Sequence, residues 1–374
     1  MCNSRVVGLI VAAGYSSRMG AFKPLLPVGE KTVIETAVDS LRLSGIKDIR
    51  VIVGYRSAEL YPLLERLQVD VIENRNYAAG MFSSVITGLK TFSGEEEAFF
   101  LLPGDTPLIR KRSIKDLIRV FRQTGAAVIY PVFNGQRGHP PLISAKLYDS
   151  ILTGDGAGGL RHILDRFTAD SVEVAVADQG VLLDIDTQED YRQLIQFYER
   201  RKVPTSEECL GMLHKYQTSE RVQRHGLEVA KVGRRLAELL SGAGFSICTE
   251  LVVAGGLVHD LAKGKPNHPE RGARMVRSMG FSSLAGIVAS HMDLEFAAER
   301  DIDEAALVFL ADKLVQGEQR VSLSERFKPA LERFAGSPEI LASILRRQQT
   351  AEIIQGRVAG LLGVNSVDEL YEIQ

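Results

Sequence analysis

Two groups of side chains in this sequence have the types and spacing to do chemistry. The first lies in residues 9–26, LIVAAGYSSRMGAFKPLL, where an apolar run opens into a small, glycine-containing loop carrying Arg18 and Lys23. Small residues at Ala12, Ala13 and Gly14 let backbone N–H groups approach a ligand's oxygens, and two cations hold negative charge, a combination suited to phosphate. The alternative is a tight strand–helix turn with both cations solvated; the loop is neither a Walker loop nor GxGxxG. The second group is the string His225, His259-Asp260, His268, His291 and Asp312, all in helical context. In GLVHDLAKG an adjacent His and Asp interrupt an apolar pattern. A histidine buried beside a carboxylate is costly unless both are satisfied, and a metal ion satisfies both. Taken singly, each is as readily a surface or hydrogen-bonded residue, and His162 and His214 fall outside the pattern.

The elements that must position these groups differ between the two halves. VVGLIV, DIRVIVGY, VDVIE, AFFLLP and AAVIYP read as strands, with VIETAVDSLRLSG, AELYPLLERL and RSIKDLIRVFRQTG as helices between them. Near-continuous apolar strands with helical crossovers make a mostly parallel sheet with helices on both faces. Such sheets bind ligands at the carboxyl ends of their strands, where the Ala12-Ala13-Gly14 loop falls. DTQEDYRQLIQFYERR closes this half as a capped helix. RRKVPTSEE, charged and carrying Pro204, breaks the pattern, and from Cys209 onward only helical periodicity appears. The expected fold class is α/β followed by all-α: a domain over 1–200, a linker over 201–208 and a helical domain over 209–374. Residues 322–374 read as amphipathic helices that pack on the helical domain or form a dimer seam.

Composition narrows the function classes. The 374 residues, 45% hydrophobic, suffice for two cores. A net charge of -2 argues against nucleic-acid binding by bulk charge. The three cysteines, Cys2, Cys209 and Cys248, lie far apart without a CxxC pair, against a disulfide framework or a thiolate zinc site. No apolar stretch reaches a membrane span and RVVGLIVAAG is too short for a signal peptide, so a cytoplasmic enzyme without membrane partners is expected.

LIVAAGYSSRMGAFKPLLPVGEKTVIE closely resembles the nucleotidyltransferase signature LxAGxSxRMGxxKxLL, and more narrowly the molybdenum cofactor cytidylyltransferase branch. NRNYAAGMFSSVITGL (74–89), GQRGHPPLIS (135–144), GDGAGGLRHIL (154–164) and LLDIDTQEDY (182–191) resemble that branch's further motifs in order, over about residues 5–198. Three departures stand out: an extra glycine in 154–164, Gln188 where the family has proline, and Thr106 where it has glutamine after the central aspartate. The resemblance implies a Rossmann-like nucleotidyltransferase fold with CTP as substrate. It also implies nucleotide or acceptor contacts at Ala12, Ala13, Gly14, Ser16, Arg18, Lys23, Asn74, Gly80, Ser83, Gly104 and His139. Arg18 and Lys23 would grip the triphosphate as pyrophosphate leaves. Asp105 and Asp186, at strand ends, are the best pair for Mg²⁺, with Asp184 in reserve; capping of local structure is the alternative for each. Arg137 and His139 are candidates for the acceptor. Ala-Ala-Gly in the loop goes with CTP in this family, so the acceptor would be molybdopterin or the molybdenum cofactor. A molybdoenzyme or its chaperone is the expected protein partner.

In the second half, VQRHGLEVAKV, GGLVHDLAKG, HPERGARMV, IVASHM and ALVFLADKL resemble successive helices of the HD phosphohydrolase superfamily, over about 215–320. The resemblance assigns His225, His259, Asp260 and Asp312 to a primary metal, and His268 and His291 to a second. One or two divalent ions of the Mn²⁺, Fe, Ni²⁺ or Zn²⁺ type suit such donors. Bridged by Asp260, they would support phosphoester or phosphoanhydride hydrolysis. Lys263, a turn beyond His259, is placed to meet a phosphate or to be solvated. The expected whole is a bifunctional enzyme. The alternatives are a transferase for a sugar or alditol phosphate, and a helical domain that binds nucleotide or metal only to regulate.

Overall fold

The computed structural model describes residues 5–154, 156–297, 300–367 and 369. Cys2 and Asp155, the latter within the GDGAGG motif, lie outside the described residues. The chain divides into two compact units, Met1–Arg201 and Lys202–Gln374.

In the first unit the elements run β1 (Val6–Ala12), a hairpin of β2 (Pro27–Val28) and β3 (Lys31–Thr32), α1 (Val33–Arg42), β4 (Asp48–Val53), α2 (Ser57–Arg66), β5 (Asp70–Glu73) and α3 (Met81–Leu89). They continue with β6 (Ala98–Pro103), α4 (Lys111–Thr124), β7 (Val128–Phe133), β8 (Gln136–Arg137), β9 (Leu142–Ser144), α5 (Tyr148–Leu152), α6 (Gly159–Asp165), β10 (Ser171–Ala175) and α7 (Gln188–Arg200). The sheet order is β10-β7-β9-β6-β1-β4-β5, with β8 beside β7. β6, β1, β4 and β5 are parallel, as are β10 and β7; β9 runs antiparallel between β6 and β7. Alternation explains the two-faced burial. Ile10 and Ala12 of β1 pack with Ile34 and Leu41 of α1 and Ile114 of α4 on one face. Val7 and Leu9 pack with Val85 and Leu89 of α3 and Ile151 of α5 on the other. β6, AFFLLP, is buried throughout. Because β1 and β6 are adjacent and in register up to Val11 opposite Pro103, the loops that leave them emerge side by side. That register brings Gly14 and Asp105 to one place.

The second unit holds α8 (Ser206–Lys215), α9 (Glu220–Gly242), α10 (Thr249–Val258), α11 (His268–Ser278), α12 (Ser282–Ser290), α13 (Glu304–Lys313), a hairpin of β11 (Val315–Gln316) and β12 (Gln319–Arg320), α14 (Leu323–Arg333) and α15 (Pro338–Leu362). Every residue of α10 from Leu251 to Val258 is buried, as is α13 from Ala306 to Lys313. Helices apolar all round must be central, and α10 packs against α8, α9, α12 and α13. Gly226 and Gly256 let α9 and α10 meet backbone to backbone: a Cβ at Gly256 would lie 2.6 Å from Ala230 Cα, and one at Gly226 2.7 Å from the Leu257 carbonyl oxygen.

Residues 201–208 are not all linker: Thr205 and Glu208 form a capping box, so α8 starts at Ser206. The second unit is helical as expected, with one hairpin of two-residue strands, β11 and β12, too short for an alternating pattern to show in sequence.

Candidate functional site

A cavity of about 290 Å³ opens at the carboxyl ends of β1 and β6. Of the residues the sequence pointed to, Ala12, Ala13, Gly14, Ser16, Lys23, Gly80, Gly104 and Asp105 line it. Ser16 adopts a left-handed backbone and its hydroxyl accepts from the Lys23 amide at 3.3 Å, which fixes the loop's curl. The Lys23 side chain then reaches across the sheet. Its ammonium donates to Asp105 Oδ2 at 3.1 Å and to Asp186 Oδ1 at 2.8 Å, while Arg18 donates to Asp186 Oδ2 at 2.6 Å. Burial alone would lower the Lys23 pKa, but the two carboxylates overcome it and raise it. The Lys23 hydrogen bond, with help from Arg18, holds Asp186 below the usual carboxylate range despite partial burial. Asp186 does not cap the helix that follows; Thr187 and Asp190 form that capping box. Asp184 sits near both, and desolvation together with the Asp105 and Asp186 charges raises its pKa.

Four predicted contacts, Arg18, Asn74, Ser83 and His139, do not line the cavity. The amide of Asn74 donates to Ser83 and Ser84 at 2.9 Å each, and its carbonyl accepts from the Asn76 amide, so it braces the turn before α3. Ser83 turns back to the Asn76 and Gly80 carbonyls, and Ser84 lines the cavity in its place. His139 keeps an edge open to solvent, yet desolvation lowers its pKa against the opposing pull of Asp105 and Asp184. Its backbone amide donates to the Val181 carbonyl at 2.8 Å. Arg137 stacks on Tyr130 and pairs with Glu173, away from this cavity's lining.

Sequence reasoning missed an aromatic cluster at the mouth. Tyr15, half-exposed, packs 5.2 Å from Tyr55 and 5.4 Å from Tyr77, ring centre to ring centre, and Tyr15 and Tyr77 line the cavity. The signal was present, since Tyr15 follows Gly14 and Tyr77 sits in the 74–89 motif. Only the fold brings in Tyr55, at the end of the neighbouring strand β4.

The second unit gathers all six of its predicted ligands. His225 projects from α9, His259-Asp260 follow the last turn of α10, His268 opens α11, His291 follows α12 and Asp312 lies in the last turn of α13. His259 and Asp260 thus end an apolar helix rather than interrupt one. The imidazoles form a row with ring centres 5.1 to 5.3 Å apart. Nδ1 of His225, His259 and His291 donates to the backbone carbonyls of Gly317, Gly256 and Val288 at 2.8 to 2.9 Å, which fixes the tautomer and turns each Nε2 inward. His268 Nε2 and His291 Nε2 lie 3.2 and 3.4 Å from Asp260 Oδ1, and His259 Nε2 lies 3.4 Å from Asp260 Oδ2. Among the described residues, Nε2 of His259, His268 and His291 and Oδ1 of Asp260 are buried without a hydrogen-bond partner. Orphaned donor atoms pointing at one another call for a cation between them. Two sets could each hold an ion, His225-His259-Asp260 and Asp260-His268-His291, sharing Asp260.

Burial would raise Asp260, but His259, His291 and Lys263 hold it far below the carboxylate range. Asp312 is likewise held low against burial by Lys313 and His225. Its Oδ1 lies 3.0 Å from His225 Nε2, and its Oδ2 accepts from the buried Lys313 ammonium at 2.6 Å. Asp312 Oδ1 also lies 3.6 Å from His259 Nε2, beside the first set. Lys263 pairs with Asp260 Oδ2 at 2.6 Å instead of standing free.

Residues 8–172 match the family described as the MobA-like NTP transferase domain, and residues 222–316 match the HD domain. This chain joins a MobA-like NTP transferase domain to an HD domain. The molybdenum cofactor cytidylyltransferase of Escherichia coli (strain K12) is 29% identical over 184 residues, 49% of this chain and 92% of that protein. The bifunctional protein GlmU of Carboxydothermus hydrogenoformans is 29% identical over 121 residues, 32% of this chain and 26% of that protein. The crystal structure of the Mycobacterium tuberculosis rv0371c homolog from Mycobacterium sp. strain JC1 aligns at 27% identity and a TM-score of 0.47, over 53% of this chain and 98% of that one. The transferase domain supplies the cavity at β1 and β6, and the HD domain, which implies divalent-metal binding, supplies the His/Asp cluster. Among the described residues, no helix is long and apolar enough to cross a membrane.

Proposed function

We propose that the MobA-like domain transfers CMP from CTP to molybdopterin, or to its molybdenum-carrying form, and that the HD domain is a metal-dependent phosphohydrolase. The observation that carries the first half is the single ammonium of Lys23 shared by Asp186 and by Asp105, which lines the cavity with it. Two carboxylates from separate loops converging on one cation suit a hard ion, so Asp105 and Asp186 would hold Mg²⁺. The small residues Ala12, Ala13 and Gly14 let the triphosphate lie against the backbone. Arg18 and Lys23 neutralise it. An oxygen of the acceptor's phosphate attacks the α-phosphorus, the bond from that phosphorus to the β-phosphate's bridging oxygen breaks, and pyrophosphate leaves with the electron pair. This chain's contribution is alignment and charge neutralisation. Similarity to the Escherichia coli enzyme and the Ala-Ala-Gly loop favour CTP and a pterin acceptor.

In the HD domain, His225, His259, Asp260 and Asp312 would hold one ion and Asp260, His268 and His291 a second. Mn²⁺, Fe, Ni²⁺ or Zn²⁺ suits these donors. When bound, such ions supply a water nucleophile at neutral pH and polarise a phosphoryl oxygen. Label transfer from [α-³²P]CTP or [α-³²P]GTP to molybdopterin tests the transferase: label moves from CTP, and movement only from GTP overturns the choice of base. Metal-dependent phosphate release that His259→Ala and Asp260→Ala abolish is expected of the HD domain; release that survives both contradicts the assignment.

A further inference from the structure

The His/Asp cluster opens on one hollow, and a second hollow adjoins that one. One, about 450 Å³, is lined by His225, Asp260, Arg221, Lys263 and Arg326 among others. The other, about 510 Å³, is lined by Thr218, Lys263, Lys265 and Arg271 among others. They share Val222 and Lys263, so the lysine that pairs with Asp260 stands between them. Among the described residues of these linings, five cations face one carboxylate, Asp260. Arg221, Lys265, Arg271 and Arg326 form no ion pair with any described residue, and cations left unpaired around a concave site favour an anion.

A second observation points the same way. Arg326 Nε and Thr218 Oγ1 are buried and have no hydrogen-bond partner among the described residues, one in each hollow. Each hollow therefore offers a donor to an absent acceptor. Thr218, Arg221 and Arg326 also lie outside the 222–316 segment that matches the HD domain, so this lining comes from what flanks it.

We infer that the HD site binds an anion carrying two or more linked phosphates. One phosphate sits beside the His/Asp cluster against Lys263, Arg221 and Arg326, and the next lies over Lys265, Arg271 and Thr218. A lone phosphate at the cluster would leave Lys265 and Arg271 unanswered. The inference rests on the phosphohydrolase reading for the position of the first phosphate. Three sources share the chemistry: inorganic pyrophosphate, which the transferase reaction releases; a nucleoside diphosphate; and a dinucleotide joined through a diphosphate.

The test is calorimetric titration of the full-length, Mn²⁺-loaded protein carrying Lys23→Met, which weakens polyphosphate binding at the transferase site. The probes are orthophosphate, pyrophosphate, a nucleoside diphosphate and a dinucleoside diphosphate. Lys265 and Arg271 are exposed, so Lys265→Ala and Arg271→Ala leave the core intact. Each is expected to weaken the tightest diphosphate-bearing probe by about tenfold or more and orthophosphate by less than about threefold. Whichever such probe binds tightest names the source. Equal weakening of orthophosphate and the diphosphate probes, or no weakening of either, overturns the inference. The two readings fail separately. Protein that holds no metal yet keeps the diphosphate preference sinks the hydrolase; bound metal and phosphate release without that preference sink the two-phosphate site.

Discussion

Replacing Lys23 with methionine keeps the stem and removes the charge that Asp105 and Asp186 share. The Lys23 side chain is 12% exposed, against 28% and 36% for the two carboxylates, so the interaction is partly screened. A hydrogen bond to a charged group contributes roughly 1.5–3 kcal/mol when buried. Discounted for the exposure of its partners, loss of both bonds should cost about 1–3 kcal/mol. Arg18 stays on Asp186 but is 72% exposed and compensates little. In a domain of this size that cost lowers Tm by roughly 3–10 °C. The stabilisation has a defined pH window. Asp186 is held below its ordinary value of 3.8, so its share is present above that value and fades as pH falls through the depressed one. Scanning calorimetry at neutral pH, with and without Mg²⁺, gives the readout. Lys23→Met should melt earlier than wild type without Mg²⁺ and regain more stability when Mg²⁺ is added, because the ion no longer competes with the ammonium. Turnover should still fall by about 10²-fold or more, since the charge on the departing pyrophosphate loses a donor. An unchanged Tm, or equal Mg²⁺ stabilisation of both proteins, would refute the shared-cation account.

The HD domain permits a metal count. Asp260→Ala should abolish both ions, whereas His225→Ala and His268→Ala should each spare the other's site, as read by elemental analysis of dialysed protein; a full complement in Asp260→Ala would exclude its bridging role. Gly256→Ala forces a methyl against Ala230 Cα, so it should destabilise the domain by about 1–3 kcal/mol in urea unfolding and lower metal affinity by prising His225 from His259. Wild-type stability in urea would show that α9 and α10 do not meet there. In the transferase domain, burial would raise Glu96, but the Ser93 and Gly94 amides and Arg50 bring it down to about 2. Its contribution, roughly 3 kcal/mol, should be complete above pH 4.5 and vanish as pH falls through about 2. Glu96→Gln should flatten that acid limb in pH-dependent unfolding, and an unaltered limb would remove Glu96 from the account.

The sequence carried the central strands plainly, because β1, β4 and β6 are buried on both faces and read as unbroken apolar runs. It hid β9 and β10: Leu142–Ser144 is too short for periodicity, and Ser171–Ala175 borders a sheet edge with only Val174 buried. The six residues of the His/Asp cluster were legible because histidines and aspartates are rare in apolar helices. Their exact placement at helix ends was not, since it depends on where Gly264 and Asn267 turn the chain with positive φ. Ser83 and Ser84 are neighbours in sequence, and only the orientation of α3 decides which one faces the cavity. Tyr55 joins Tyr15 because β4 neighbours β1, a fact of sheet order rather than of local pattern.

The central claim is that a nucleoside triphosphate and Mg²⁺ are held together where β1 and β6 end. Calorimetric titration of CTP and GTP into the wild-type chain and into Asp105→Asn, with Mg²⁺ or with chelator, tests it most directly. The wild type should bind CTP more tightly than GTP and only when Mg²⁺ is present, and Asp105→Asn should lose that binding. Binding that ignores both the ion and the substitution would contradict the claim.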